Sequence, residues 1–249
     1  MLVLVPSSET KHPGGDGAPL DLAALTAADE LTAVRTELVE ALVALSDDVP
    51  ASRSALGLSA KQDDEIARNA ALWTGPTLPA VERYTGVLYD ALDIGSLTRA
   101  ERARADARLA VGSALFGLVR AGDRIPAYRL SAGSTLPGLP TLRALWRPVL
   151  TPVLAAAHGL VVDLRSGAYA ALAPVPGAVT VQVLSERPDG TRAVVSHLNK
   201  AHKGRLARQL ARTTAEPADV VGLRRLLRRA GLHVEHEGGP ALTLVVPAR

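Results

Sequence analysis

The hydrophobic positions of the chain fall into short continuous runs and longer stretches of helical spacing. Apolar runs at residues 1–5, 160–164 and 179–184 have the length and the flanking turn residues of buried β-strands. The Pro-Asp-Gly turn at residues 188–190 indicates that the third strand folds back on residues 193–198. The pattern therefore predicts a sheet whose strands come from distant parts of the chain.

Apolar residues at helical spacing predict much of the remaining structure. Leu31, Leu38 and Leu42 fall on one helix face, and Thr26 precedes them as the expected N-cap. Further helices are predicted at residues 59–73, 139–157, 203–212 and 220–229. The apolar stretch at residues 111–119 is also predicted to be helical.

Residues 84–109 predict two helices joined by a hairpin at residues 93–97. Thr98 and Glu101 form a capping box that opens the second helix. A helix-hairpin-helix of this kind can hold a nucleic-acid phosphate against hairpin amides and a helix N-terminus, and Gly95 would allow a close approach. The alternative is a capped, solvent-exposed helix that binds nothing.

The order of the predicted elements defines the fold class. Strands at residues 233–237 and 241–246 close the chain as a hairpin, and strands and helices do not alternate strictly along the sequence. We therefore predict a mixed α/β (α+β) fold with a central mixed sheet, surrounding helices and a helix-hairpin-helix-like element, rather than a doubly wound sheet. Residues 1–249 are expected to form a single domain.

Composition removes several kinds of chemistry. The chain has no cysteine, which excludes disulfides, thiolate metal sites and cysteine nucleophiles. Its six histidines are scattered, so we expect neither a metal nor a cofactor. The apolar runs are too short to cross a bilayer. We expect a cytoplasmic monomer with no membrane partner.

Positive charge is concentrated toward the C-terminal end. Residues 192–229 contain ten basic and two acidic side chains, a net charge of +8, whereas the whole chain carries +3. The densest part is the cluster Arg224, Arg225, Arg228 and Arg229. Such a segment is typical of a surface that binds a polyanion. The alternative is a pair of helices that arginine keeps soluble.

Six short blocks occur in an order that matches one family. They are LVLVPSSETK at residues 2–11, RYTGVLY at 83–89, SALFGLVR at 113–120, IPAYRL at 125–130, LRSGAY at 164–169 and NKAHKGR at 199–205. In these motifs the chain resembles the YaaA-like peroxide stress proteins, in their short actinobacterial form. The resemblance implies a cytosolic protein that is induced by peroxide, limits iron-dependent damage and binds DNA through a helix-hairpin-helix in a basic cleft.

Non-specific binding of double-stranded DNA is therefore the favoured function. Its affinity would come from phosphate contacts, because the basic helices carry few side chains suited to reading bases. The predicted nucleic-acid-binding residues are Gly95, Arg99, Arg102, Arg224, Arg225, Arg228 and Arg229.

The hydroxyl, phenol and cationic side chains of the same blocks suggest an alternative function, an enzyme that acts on a small anionic substrate. Lys11 follows a buried strand, Arg129 lies in the IPAYRL block and Lys203 precedes a glycine, and three cations brought together require a counter-charge. Buried, hydrogen-bonded braces are the structural alternative for these residues. The catalytic candidates are Lys11, Tyr84, Tyr128, Arg129 and Lys203. The predicted ligand-binding residues are Ser8, Lys11, Arg83, Tyr89, Arg129, Arg165, Ser166, Tyr169, His197, Lys200 and Arg205.

Overall fold

A computed structural model describes residues 1–195 and 199–248, and its sheet is built around β1 (Leu2–Pro6). Two strands run parallel to β1, one on each side: β3 (Leu109–Ser113) and β6 (Val161–Asp163). Successive residues of β1 and β3 are buried, so both faces of the sheet are covered there. This explains why the first strand reads as a continuous apolar run without alternation.

The remaining elements are distributed along the whole chain. The other strands are β2 (Leu78–Pro79), β4 (Gly117–Arg120), β5 (Arg124–Ile125), β7 (Val179–Glu186), β8 (Arg192–Val194), β9 (Val234–Glu235) and β10 (Ala241–Pro247). The helices are α1 (Ala28–Leu45), α2 (Val49–Leu56), α3 (Asp64–Ala70), α4 (Ala80–Arg83), α5 (Val87–Leu92), α6 (Arg99–Arg108), α7 (Leu142–Ala155), α8 (Gly167–Leu172), α9 (Asn199–Arg212) and α10 (Val220–Arg229). Short 3-10 turns lie at Leu22–Ala24, Ala60–Gln62 and Ile94–Ser96.

The main sheet is mixed, as the sequence predicts. Its order is β4-β3-β1-β6-β7-β10-β9, with β8 paired to β7. The strands from β3 to β10 in this order are parallel, while β4, β8 and β9 pair antiparallel with their neighbours. The chain leaves β1 toward β3 on one side and later returns to β6 on the other. The carboxyl end of β1 thus lies where the strand order reverses, a common ligand position in open α/β sheets.

The helix predicted at residues 111–119 is wrong, because this segment forms the hairpin of β3 and β4. A continuous apolar run suits a buried strand as well as a buried helix. The turn depends on Gly117, which has φ 69° and lies so close to Trp146 that a β-carbon would stand 2.7 Å from its ring. Length and periodicity alone did not contain that information.

The predicted N-cap at Thr26 is also wrong. The residue before α1 is Ala27, in a left-handed conformation with φ 55° and no side-chain cap. The Thr26 amide and hydroxyl instead donate to the carboxylate of Asp123, at 3.0 and 3.2 Å. The Thr26 hydroxyl, which the local pattern predicts as a helix cap, therefore bonds to Asp123, a residue distant in sequence.

Other predicted elements are confirmed. Thr98 and Glu101 form the capping box of α6, and α10 ends before Gly231, which has φ 82°. The closing hairpin is present as β9 and β10. The partner strand predicted at residues 193–198 corresponds to β8, and residues 196–198 lie outside the described part of the chain.

Helix α9 packs closely on α5 and on the turn that follows it. A β-carbon at Gly204 would lie 2.2 Å from the carbonyl oxygen of Leu88. Four residues later, Arg208 donates to the carbonyl of Leu92 at 2.9 Å and to the Ser96 hydroxyl at 2.6 Å. These contacts fix the hairpin to the middle of α9.

We expect Gly204→Ala to lower the free energy of unfolding by about 2 kcal/mol, because the added methyl group must push two helix backbones apart. Urea denaturation measures the change. Gly167→Ala is the matched control, since its β-carbon would meet no atom within 4 Å and the variant should be nearly neutral. Equal stability of both variants would contradict the close packing of α9 on α5.

Candidate functional site

Lys11 lies in the loop after β1, and its side chain is turned into the protein. The residue is only 7% exposed, and its backbone forms an isolated antiparallel bridge with Tyr84. Its Nζ donates to the carbonyls of Ser8 at 2.9 Å and Glu9 at 3.3 Å, and lies 4.0 Å from the ring centroid of Tyr128. Two carbonyls and an aromatic face can accept the three N–H groups of an ammonium ion.

Burial lowers the pKa of Lys11 to about 7. Glu65 is the strongest opposing influence on this pKa, and the positive charge of Arg129 lowers it further. Protonated and neutral forms of Lys11 are therefore both populated near neutral pH. The neutral amine can accept a proton or act as a nucleophile, which an ordinary surface lysine cannot do at this pH.

A chain of buried hydroxyl groups lies beside Lys11. The Tyr84 and Tyr128 hydroxyls are 2.9 Å apart, and the Tyr128 hydroxyl is 2.8 Å from Oγ of Ser113. Oγ of Ser113 in turn accepts the Phe116 amide at 3.0 Å. Burial raises the pKa of both phenols, so they stay protonated and can pass a hydrogen bond along the chain. The structure thus brings together three predicted catalytic candidates: Lys11, Tyr84 and Tyr128.

Arg129 joins this cluster through Glu9. Its guanidinium lies 2.7 Å from the Glu9 carboxylate. Buried Asn69 holds the Arg129 backbone, because its amide group donates to the Arg129 carbonyl at 2.9 Å and its side-chain oxygen accepts the Arg129 amide at 2.8 Å. Asn69 was not among the predicted site residues, since a single asparagine in a helical pattern gives no indication of its partner.

Lys203 contacts a neighbouring strand end instead of Lys11. Its Nζ donates to the Leu164 carbonyl at 3.2 Å, directly after β6, and burial lowers its pKa. Next to it, Arg165 makes two hydrogen bonds to Asp163, at 2.9 and 2.7 Å. Of the three cations expected to converge, Lys11 and Arg129 lie on either side of Glu9, and Lys203 lies at β6. Ser166 is exposed at the start of α8.

Arg83 is fully buried and braces the loop that follows Lys11. Its guanidinium donates to the backbone carbonyls of His12, Gly14, Pro76 and Ile125. These bonds occupy the guanidinium on every side. The geometry of this predicted ligand-binding residue is that of the structural alternative, a buried hydrogen-bonded brace.

A pocket of about 300 Å³ lies at the carboxyl end of β1. Three predicted ligand-binding residues line it: Ser8, Tyr89 and Lys200. The Tyr89 hydroxyl is held in place because it donates to the Pro6 carbonyl at 2.9 Å. Ser7 also lines the pocket and was not among the predicted residues. Its position directly after a buried strand was the available signal.

The remaining predicted ligand-binding residues lie elsewhere. Arg205 lines a larger cavity of about 580 Å³ near the carboxyl ends of β7 and β10. Tyr169 is half-buried, and burial raises its pKa while the nearby Ser7 hydroxyl opposes that rise. His197 lies outside the described residues.

The predicted hairpin joins α5 to α6 through the 3-10 turn at Ile94–Ser96. Gly95 and Arg99 are exposed, and a β-carbon at Gly95 would meet nothing within 4 Å. Arg102 is instead committed to Glu82 at 2.6 Å and Asp106 at 2.9 Å. Phosphate binding at this hairpin stays a prediction. Gly95 and Arg99 are free to contact a phosphate, whereas Arg102 would have to break its ion pairs with Glu82 and Asp106 first.

Helix α10 presents a group of arginines that we call the α10 arginine face: Arg224, Arg225, Arg228 and Arg229. Leu223 and Leu227, on the opposite side of the helix, are buried in the core. Arg224 is partly exposed and the other three are exposed. Within residues 1–195 and 199–248, none of the four guanidinium groups has a hydrogen bond or an ion pair. Their charge is therefore available to a partner.

Residues 1–195 and 199–248 lack two kinds of feature, a metal-binding cluster and a membrane-spanning helix. These ranges contain no group of three or more histidine, aspartate and glutamate side chains that could hold a metal ion. They also contain no helix with the length and hydropathy needed to cross a bilayer.

Together these features define a mixed α/β protein with a buried lysine–tyrosine cluster at the carboxyl edge of its parallel strands and a separate, unpaired arginine helix. A family model described as "Peroxide stress protein YaaA" matches residues 1–237, and the chain belongs to this family. The family assigned from the short sequence blocks is confirmed.

Similar proteins carry the name UPF0246. One from Corynebacterium efficiens is 52% identical over 99% of this chain and 100% of its own length. One from Streptomyces coelicolor is 47% identical over 95% of this chain and 93% of its own. A UPF0246 protein of Shewanella woodyi is 31% identical over 55% of this chain and 57% of its own.

Proposed function

We propose that this peroxide stress family member binds double-stranded DNA without sequence preference through the α10 arginine face. The observation that carries the proposal is a row of four arginines with no acidic partner in the described structure. Several other surface arginines are paired: Arg192, for example, binds Glu186 at 2.5 Å and Glu235 at 2.6 Å. Helix α10 differs because it brings four unpaired arginines together within three turns. Unpaired guanidinium groups bind phosphates without first breaking an internal ion pair.

Phosphate contacts supply affinity, and base contacts supply specificity. The face consists of the four arginines, with the exposed Val221 beside them, and it offers no asparagine, glutamine or aromatic side chain for reading base edges. The exposed Gly95 and Arg99 at the hairpin provide a second contact with the backbone of the duplex. These features support a protein that binds DNA by its charge.

We expect the affinity for a duplex of about 20 base pairs to fall by two to three orders of magnitude between ~50 and ~200 mM salt, because bound phosphates release counterions. Fluorescence anisotropy over a salt series measures the slope, and two unrelated sequences of equal length test specificity. Salt-independent binding, no binding at low salt, or strong preference for one sequence would each contradict the proposal.

A second candidate function is an enzyme that acts on a small anionic substrate, with Lys11 as base or nucleophile. It is favoured by the position of Lys11, whose pKa near 7 is combined with a hydroxyl chain through Tyr128, Tyr84 and Ser113. Lys11→Met should then abolish turnover and leave DNA affinity unchanged. Loss of both properties together would show that the substitution acts on the fold.

A further inference from the structure

We infer that the cavity of about 580 Å³ near the carboxyl ends of β7 and β10 binds a small amphipathic anion, a molecule with an apolar body and a terminal carboxylate or phosphate. We call it the β7–β10 cavity. Its lining comes from α9, from the turn after α10 and from the last residues of the two strands. The cavity shares no described lining residue with the pocket at the carboxyl end of β1 or with the α10 arginine face, so the inference is independent of DNA binding.

The floor of the β7–β10 cavity is apolar. Leu244 and Val246 line it, and because they lie two positions apart on β10, their side chains point to the same face of the sheet. Leu232, in the turn after α10, also lines the cavity. Leu244 is 3% exposed, but Val246 and the last three residues of β7, Leu184–Glu186, are only half-buried. The apolar surface thus continues to the ends of the strands, where an apolar ligand can remove it from water.

The charge of the lining favours an anion. Arg187 follows β7 and Arg205 lies in α9, and both side chains line the cavity. Both residues are exposed, and within residues 1–195 and 199–248 neither guanidinium has a hydrogen bond or an ion pair. Glu186 is the acidic residue of the lining, and Arg192 already binds it at 2.5 Å. Two free guanidinium groups can therefore bind a carboxylate or a phosphate.

The combination of floor and charge indicates the class of ligand. An uncharged hydrocarbon would leave the two arginines without a partner, and a simple inorganic anion would leave the apolar floor in water. A molecule that carries both an apolar body and an anionic group satisfies both parts of the lining. The cavity volume lies within the range of small-molecule sites, and its apolar floor offers nothing to the phosphate backbone of a duplex.

Isothermal titration calorimetry with octanoate and with octyl phosphate, each below its micelle concentration and at constant ionic strength, tests the inference. We expect saturable binding of at least one of the two, and the tighter ligand identifies the anionic group. Acetate and inorganic phosphate lack the apolar body, and 1-octanol lacks the charge. Each of these three should bind at least about tenfold more weakly than the amphipathic anion.

Three variants locate the binding. Arg187→Gln and Arg205→Gln should each weaken the affinity about fivefold, because each removes one charged hydrogen-bond donor group. Val246→Asp places a carboxylate on the apolar floor and should abolish binding. Arg143→Gln, at an exposed position of α7 outside the cavity, is the matched control and should keep the wild-type affinity. Circular dichroism and thermal unfolding verify that each variant is folded.

Absence of saturable binding by both octanoate and octyl phosphate would overturn the inference. Equally tight binding of acetate, inorganic phosphate or 1-octanol would do the same, since the lining would then not recognise an amphipathic anion. If Val246→Asp fails to fold, the double variant Arg187→Gln with Arg205→Gln decides, and wild-type affinity in that variant would contradict the site. A response lost only when the α10 arginine face is replaced by glutamine would assign the binding to α10 instead of the β7–β10 cavity.

Discussion

Replacing all four residues of the α10 arginine face by glutamine is expected to lower the affinity for duplex DNA by about two orders of magnitude at ~0.1 M salt, because up to four phosphate contacts are lost. The melting temperature should stay nearly unchanged. The helix is held by Leu223 and Leu227, which are buried, and by its N-cap Asp219, which accepts the Gly222 amide at 2.7 Å. Fluorescence anisotropy and thermal unfolding measure the two effects.

A charge-matched pair of variants separates position from net charge. Arg228→Gln with Arg229→Gln removes two charges from α10, and Arg143→Gln with Arg147→Gln removes two from exposed positions of α7. We expect the first double variant to lose about tenfold in affinity and the second to lose little. Equal losses would show that binding depends only on overall charge, and a failure of the α10 variant to fold would assign these arginines a structural role.

Lys11→Met is expected to remove a pH dependence of stability that the wild-type protein shows between about pH 7 and pH 9. The folded protein holds Lys11 at a pKa of about 7, whereas an unfolded chain restores the ordinary value of 10.5. In this interval the unfolded state binds more protons, so the free energy of unfolding rises with pH, by about 2 kcal/mol. Methionine has a similar length and no titrating group, and the variant should show a flat profile.

The buried phenols reverse the slope at higher pH. Burial raises the pKa of Tyr84, Tyr89 and Tyr128 in the folded state, so above about pH 10 the unfolded chain releases protons first and stability falls. Urea unfolding at a series of pH values tests both limbs. Lys61→Met is the control, because this lysine is exposed, and its profile should match the wild type. Identical profiles for Lys11→Met and Lys61→Met would refute the buried-amine interpretation.

Local sequence pattern was sufficient where an element depends on its own residues. The capping box at Thr98 and the end of α10 at Gly231 are examples, because cap and helix lie within a few positions of each other. The pattern failed where a distant partner decides. Trp146 fixes the turn at Gly117, and Asp123 takes the hydroxyl of Thr26. Neither Trp146 nor Asp123 can be identified from the sequence of the segment whose conformation it determines.

The same distinction applies to the candidate site. The short blocks placed Lys11, Tyr84 and Tyr128 among the candidates, and the structure joins them although they lie far apart in sequence. They could not separate a residue that faces a pocket from one that braces a loop. Arg83 and Lys200 both lie in such blocks, yet the first is surrounded by carbonyls and the second lines a pocket. That difference arises from tertiary contacts that neither block encodes by itself.

Helix α9 connects the pocket at the carboxyl end of β1 with the hairpin at Ile94–Ser96. Lys200, in its first turn, lines the pocket. Gly204, in its middle, packs against the carbonyl of Leu88, and Arg208 donates hydrogen bonds to Leu92 and Ser96 of the hairpin. The close contact at Gly204 and the hydrogen bonds of Arg208 couple the position of α9 to that of the hairpin. A movement of the first turn of α9 would therefore be passed to the hairpin that carries Gly95 and Arg99. If the hairpin binds a phosphate backbone and the pocket binds a small molecule, thermodynamic reciprocity requires each to change the affinity of the other by the same factor.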